Sequence, residues 1–573
     1  MGLKERIEVA RGEREGDVLL KNAKIVNVFD LSIEEGDIII YEGEIVGIGD
    51  YKLAKETYDL KGYYVSPGLF DSHMHIESTL LIPGEFAKAV VPQGTLYVIA
   101  DPHEIANVSG VRGIKFMLNA TESLPMDIFF MLPSCVPASP FETSGARLLA
   151  EHLYPFMSHP RVLGLGEVMN FPGVVNGDEG VLKKLELFKE KIIDGHSPFL
   201  MGKNLNAYLT GGIGSDHECT NLHEAKEKLK RGMWIMIREG SVAKDLSALY
   251  HLIDEKTYPR ILLCTDDRHP GDLITEGHIN SIVRELVKRG VDPILSIRLA
   301  TLNPATYFKL KKRGGVAPGY FADVVVFSDL INFEPVLVFH RGKLVAKDRK
   351  PLFDYERTKS EGGVKNTVNV KTMTYEKLMV KRNGEKMNVI GAIENSLITE
   401  RYELEPRVDG DNVIADTSRD ILKIAVVERH KATGNVGVGF IKGFKLKRGA
   451  IASTIAHDNH NIIVVGTNDK DMLLSIFALE SHGGGICVAA DGKILDLLPL
   501  PFGGLMTDMP AHEVDSEFKR LVKITKDLGC PMDDPFMTLS FMALPVIPHL
   551  KITDLGLVDS DKFKIISLWD IGG

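Results

Sequence analysis

The chain has 573 residues, 44% of them hydrophobic and 25% charged, with 54 glycines. That excludes a small stapled scaffold or a disordered chain and predicts about three or four structural units. A net charge of −10 excludes an extended phosphate-binding surface, so no nucleic-acid partner is expected. The five cysteines are scattered, odd in number and never form CxxC, which excludes a disulfide framework or a cysteine zinc knuckle and predicts a cytoplasmic setting. No apolar run approaches the ~20 residues of a membrane span. The start, Met1 to Ile7, mixes charges without an apolar core, so neither a signal peptide nor a membrane partner is expected.

In chain order, residues 18–20, 23–28, 37–41, 44–48 and 63–65 read as short strands, punctuated by the turns Glu42-Gly43 and Lys61-Gly62. A matching set returns at 322–327, 335–339 and 343–346. The spacing predicts one small β-domain built from residues 1–65 and 313–350, the two flanks of an inserted domain. That insert, 66–312, alternates apolar strand-like runs with amphipathic stretches such as 180–193 and 276–289. Such alternation predicts an α/β (β/α)8 barrel, a fold of ~250 residues. Beyond a polar linker at 357–369, residues 370–573 read as a C-terminal α+β domain. It has strands at 421–427 and 462–465 and helices at 470–479 and 514–528.

In a barrel of this kind the chemistry sits at the C-terminal strand ends. The first run ends in His73-Met74-His75-Ile76-Glu77, where alternation puts His73, His75 and Glu77 on one face. Run 97–100 leads to His103 and Glu104, run 129–132 to Ser134 and then Glu142, and run 162–165 to Glu167. Run 191–195 leads to His196, and 211–213 to His217 and Glu218. Run 233–237 ends in Arg238 and Glu239, and 260–264 in Asp266 and Asp267. Any one terminus reads equally as a salt-bridge partner or a helix start. Together, four histidines, a glutamate and an aspartate make a two-metal site, in ligand types that suit Zn, Fe or Mn. Two metals would lower the pKa of a shared water, and an adjacent Asp would take its proton.

The ordered strand ends resemble the amidohydrolase superfamily, and the fuller segments resemble its bacterial and archaeal adenine deaminases. Those segments include Pro67-Gly68-Leu69-Phe70-Asp71-Ser72-His73-Met74-His75, Asp101-Pro102-His103-Glu104-Ile105-Ala106-Asn107, Gly166-Glu167-Val168-Met169-Asn170, Asp194-Gly195-His196-Ser197-Pro198, Ser215-Asp216-His217-Glu218 and Cys264-Thr265-Asp266-Asp267-Arg268. The resemblance implies hydrolytic deamination of adenine to hypoxanthine and ammonia, in purine salvage, by a homo-oligomer (dimer) with two divalent ions of Mn or Fe type, or Zn.

By that resemblance His73, His75 and Asp266 hold one metal, His196 and His217 the other, and Glu167 bridges them. Asp266 doubles as proton shuttle. His103 and Glu104 support the site or hold an extra ion. The acid that protonates N1 comes from Glu77, Glu142, Glu218 or Glu239, with Glu77 and Glu239 assigned as catalytic. Glu142, Ser134 and Arg238 are assigned to substrate contact. His457 and His460 lie on a loop that either reaches the site or forms a polar turn between strands. The alternatives are another amidohydrolase acting on a different aminopurine or cyclic amide, and a non-enzymatic binding or assembly module, which would have lost metal ligands.

Overall fold

The computed structural model describes residues 2–356, 363–394 and 396–572. Its centre is a barrel of eight short parallel strands: β1 (Leu69–Met74), β2 (Thr95–Ala100), β3 (Asp127–Leu132), β4 (Val162–Val168), β5 (Ile192–Gly195), β6 (Ser215–Asp216), β7 (Trp234–Arg238) and β8 (Ile261–Cys264). Several are buried along their whole length, as in Thr-Leu-Tyr-Val-Ile-Ala of β2, because helices cover the outside and side chains fill the inside. The strands pair in chain order as β1 to β5 and as β6 to β8. Hydrogen bonds close both seams. Gly214 N–H donates to Ile193 O at 2.9 Å, and Asp266 N–H donates to His73 O at 3.0 Å.

Two local differences from expectation have plain causes. The sixth strand lies at Ser215–Asp216 rather than 211–213, because Gly211 and Gly212 form the turn after helix Gly202–Thr210 and Gly212 adopts φ +90°. The helix expected to run to 193 spans Glu179–Phe188, since Ile192 and Ile193 pair with Gly164 and Leu165 of β4.

A second sheet draws on both flanks of the barrel. Strand Tyr64–Pro67 lies between Val324–Phe327, antiparallel, and Gly16–Asn27, parallel. Gly16–Asn27 is one strand with a register shift between Leu20 and Ala23 where two were expected, and Ala54–Asp59 pairs beside it. The helix Leu3–Ala10 was not foreseen; only Val9 of it is buried.

The C-terminal part is an eight-stranded mixed sheet whose central strands are Val436–Lys442, Leu422–Val427, Ile462–Gly466 and Ala450–Ser453, with helices Asp469–Ser481 and Ala511–Asp527. Of the expected linker, 357–362 lies outside the described residues, and Val364 beyond it is fully buried. One continuous apolar cluster runs from Leu69 and Val98 in the barrel to Ile424, Ile451 and Val488 in this sheet. The two therefore pack as a single body, and a C-terminal loop can reach the barrel mouth.

The barrel is keyed to the small sheet through buried Asp323. Its Oδ2 accepts from Tyr97 OH at 2.5 Å and from Arg341 Nη1 at 2.8 Å. Asp323→Ala leaves Tyr97 OH and the Arg341 guanidinium without their acceptor, and is expected to cost about 3–5 kcal/mol. A clear drop in Tm measures it, and Asp323→Asn should recover part of the loss.

Candidate active site

The barrel strands deliver polar side chains to the same end, and the hub for the histidines is Glu167. Its Oε2 lies 2.7 Å from His196 Nδ1 and 3.3 Å from His217 Nε2, while its Oε1 lies 3.3 Å from His75 Nε2 and 3.2 Å from His103 Nδ1. Asp266 Oδ1 lies 3.1 Å from His75 Nε2 and 3.6 Å from His73 Nε2. The His73 ring stacks on His217 with centroids 4.0 Å apart. The structure thus brings together His73, His75, Glu167, His196, His217 and Asp266, with His103 beside them.

Backbone geometry aims these groups. Asp266 adopts φ +61°, a conformation Asp tolerates better than most residues. Its N–H and C=O are both bonded to the β1 end, to His73 O and to His75 N–H. Asp101 Oδ2 accepts the Glu167 N–H at 3.1 Å, and a Cβ at Gly166 would collide with that carboxylate, so glycine is required there. His75 Nδ1 lies 2.9 Å from Asp101 O, a contact that puts the proton on Nδ1 and leaves Nε2 free to ligate.

His73 Nε2, His217 Nε2 and His103 Nδ1 are buried without any hydrogen-bond partner. Buried nitrogens are rarely left so, and a divalent cation satisfies them. Ligand atoms within 4.8 Å of one another occur in the sets His73, His75, Asp266; His73, Glu167, His217; and His196, His217, Glu218. Imidazole and carboxylate donors of this kind fit Mn, Fe or Zn.

The amidohydrolase family model matches residues 64–345, and the model described as the adenine deaminase C-terminal domain matches 396–564. An adenine deaminase 2 of Carboxydothermus hydrogenoformans is 49% identical over 98% of this chain and 99% of its own length. The adenine deaminases of Kosmotoga olearia and Clostridium acetobutylicum are 46% and 45% identical, over 99% and 98% of this chain and 99% and 100% of their own. The chain belongs to the adenine deaminase family.

In this member of the family the metal-type cluster forms the floor of a cleft lined by His75, Glu167, Glu218, Arg238, Asp266 and Asp267 among others. Arg238 is buried. It donates to Asp245 Oδ2 at 3.0 Å and to Asp266 Oδ2 at 2.9 Å, and pairs closely with Glu218. Burial works against the charge of Glu218, but Arg238, with His196 and His217, outweighs it and lowers its pKa below the usual carboxylate value.

Of the remaining sequence-assigned residues, Ser134, Glu77, Glu142 and Glu239 sit off the cleft lining. Ser134 Oγ donates to Glu167 O at 2.5 Å and so holds the hub from behind. Glu77 Oε1 accepts the Ile105 N–H, and Glu77 borders a neighbouring, mainly apolar cavity; burial and the Glu104 charge push its carboxyl up to about 7. Glu142 accepts from Ser139 Oγ at 3.0 Å. Glu239 Oε2 accepts the Leu246 N–H at 3.1 Å. Glu104 faces His457 and His460 at 3.2 and 3.5 Å, on the cleft wall.

The other wall belongs to the C-terminal part. Leu397, His457, Asp458, Phe541, Leu544, Val546 and Ile547 line it. The histidines of 455–461 signalled that loop in the sequence; the apolar residues carried no signal, since nothing distinguishes a roof leucine from a core one. Lys551 secures this roof, donating to Leu397 O at 2.6 Å and Phe541 O at 3.0 Å.

Two predictions follow from this arrangement. Glu167→Ala should lose divalent metal, measured per chain by plasma mass spectrometry, while Glu239→Gln keeps the wild-type content. Burial lowers the Lys551 pKa from 10.5 to about 7. Between those values the unfolded chain binds a proton that the folded chain has released, so this group's contribution to stability improves as pH rises through that window. The Tm of the wild type relative to Lys551→Met should therefore climb from about pH 7 to about pH 10.

Proposed function

We propose that the chain hydrolyses adenine to hypoxanthine and ammonia. The observation that carries this reading is the near-full-length identity to adenine deaminases, which covers both walls of the cleft. The metal holders proposed are His73, His75 and Asp266 for one divalent ion, His196 and His217 for a second, and Glu167 between them. Mn or Fe is the expected pair, with Zn acceptable to the same donors. When bound, the ions supply Lewis acidity that makes water nucleophilic at neutral pH.

The chain's own side chains handle protons and position. Asp266, held ionised by His73, His75 and Arg238 against the effect of burial, accepts the proton of the attacking water and returns it to the C6 amino group as ammonia leaves. Glu218 stays ionised beside Arg238 and accepts a hydrogen bond from a purine N–H, fixing the base in the cleft. Leu397, Phe541, Leu544, Val546 and Ile547 pack on the purine faces and exclude bulk water. Ser134 acts behind Glu167 rather than on the base, and Glu77, Glu142 and Glu239 support the walls. All five cysteines are buried and unpaired, which fits the reducing, cytoplasmic setting proposed; the purine-salvage role and the dimer are proposed from the family resemblance alone. No helix among the described residues is long and apolar enough to cross a membrane.

The deciding experiment is ammonia release from adenine by Mn-loaded protein, with metal counted on the same sample. Turnover with two metals per chain is expected. Two metals without turnover would keep the site and discard the substrate. Asp266→Asn should lower kcat by ~10²–10⁴-fold in a folded protein, and near-normal turnover would remove Asp266 from the reaction.

A further inference from the structure

Attack at C6 requires a proton on N1, and the carboxyls offered by the sequence do not supply it. Glu77, Glu142 and Glu239 lie off the cleft lining, and Glu218 is ionised beside Arg238. A different group fits. His457, on the C-terminal loop, is part of the cleft wall that also includes His75, Glu167 and Asp266. Its Nδ1 faces Glu104 Oε1 at 3.2 Å, and its ring stacks on Phe541 with centroids 5.3 Å apart and planes 23° apart. Its Nε2 is buried and has no partner.

A carboxylate on one ring nitrogen fixes the orientation of the imidazole and stabilises its charged form, leaving the other nitrogen to act on a ligand. On its other side Glu104 meets a second imidazole: its Oε2 faces His460 Nε2 at 3.5 Å. His460 Nδ1 accepts the Ala456 N–H at 3.3 Å, so its own proton sits on Nε2. That proton argues against reading Glu104, His457 and His460 as a third cation site, although their ligand atoms lie within 4.8 Å of one another. A cation would need that nitrogen bare.

We propose that His457, oriented by Glu104, is the proton donor to the purine ring, contributed by the C-terminal domain to an active site otherwise built on the barrel. The Nε2 proton passes to N1 as the water oxygen bonds to C6. The water's own proton goes by way of Asp266 to the amino group, which departs as ammonia when the C6–N bond breaks. The proton lost from the C6 hydroxyl, as it becomes the carbonyl of hypoxanthine, replaces the one His457 gave. Water and adenine are consumed and nothing else is required.

This inference rests on the proposed adenine reaction, and its test separates the two. If the wild type releases no ammonia from adenine, the reaction itself is wrong. Given wild-type turnover, His457→Gln should lose ~10²-fold or more in kcat with KM little changed and metal content unaltered. His457→Ala should regain part of its kcat on addition of imidazole, which leaves the wild type unaffected; a merely structural role gives no such rescue. Glu104→Gln should lose turnover less severely at constant metal content, and it decides the matter if the His457 variants do not fold. Wild-type kcat in folded His457→Gln, or in Glu104→Gln where the former is unfolded, overturns the proposal. Loss of metal in step with activity overturns it too, by making His457 a ligand.

Discussion

The active end of this molecule is organised by one electrostatic constraint. Glu167 and Asp266 are carboxylates held almost entirely out of water, and such groups persist only where cations or hydrogen-bond donors surround them. Here the compensation comes from five neighbouring imidazoles and the Arg238 guanidinium, carried by five different strand ends or the loops after them. No single element could supply it. The barrel must close for the charges to be tolerated, and the seam hydrogen bonds between β1 and the β8 end run through the backbone of Asp266 itself. Closure of the fold and assembly of the site are therefore the same event.

A second consequence concerns protonation. Histidine nitrogens that neither donate nor accept, as at His73, His217 and His103, are costly in a metal-free state and become useful when a cation fills the space. Arg238 plays the complementary part at the rim. It cannot lose its proton, so it favours the charged form of Glu218 and, together with His73 and His75, that of Asp266. The floor is thus tuned by what it binds, and the rim is fixed by a permanent cation.

The barrel was legible because each of its strands is buried on both sides and ends in a polar residue, a pattern visible residue by residue from His73 to Asp266. The ligand-type residues could be picked out for the same reason. What escaped was context. Glu239 and Arg238 are neighbours in sequence, yet successive side chains at a strand end diverge, so Arg238 enters the cleft while Glu239 caps the backbone at Leu246. Ser134 stands at a strand end as expected, but its hydroxyl turns to a backbone oxygen. The sixth strand was displaced because a glycine turn and a strand start are both apolar and short. The roof residues Phe541 to Ile547 come from a part of the chain some 470 residues beyond the first histidine motif, and no local pattern links them.

The division of labour between the two halves explains why a family member needs its C-terminal part at all. A barrel mouth alone offers metal ligands and a charged rim open to solvent, where water competes with every hydrogen bond to the base. The apolar roof removes that competition, since interactions strengthen as the effective dielectric falls. It also brings His457 and Asp458 to a cleft whose barrel residues already face one another in the imidazole–carboxylate cluster or in ion pairs. The buried Lys551, tied to the carbonyls of Leu397 and Phe541, then has a definite role: it joins two roof segments that share no strand, at the energetic cost of keeping an amine away from water. A roof assembled from separate loops needs such a tie, because a displacement of an ångström at Phe541 would move the His457 ring it stacks against, on the cleft wall.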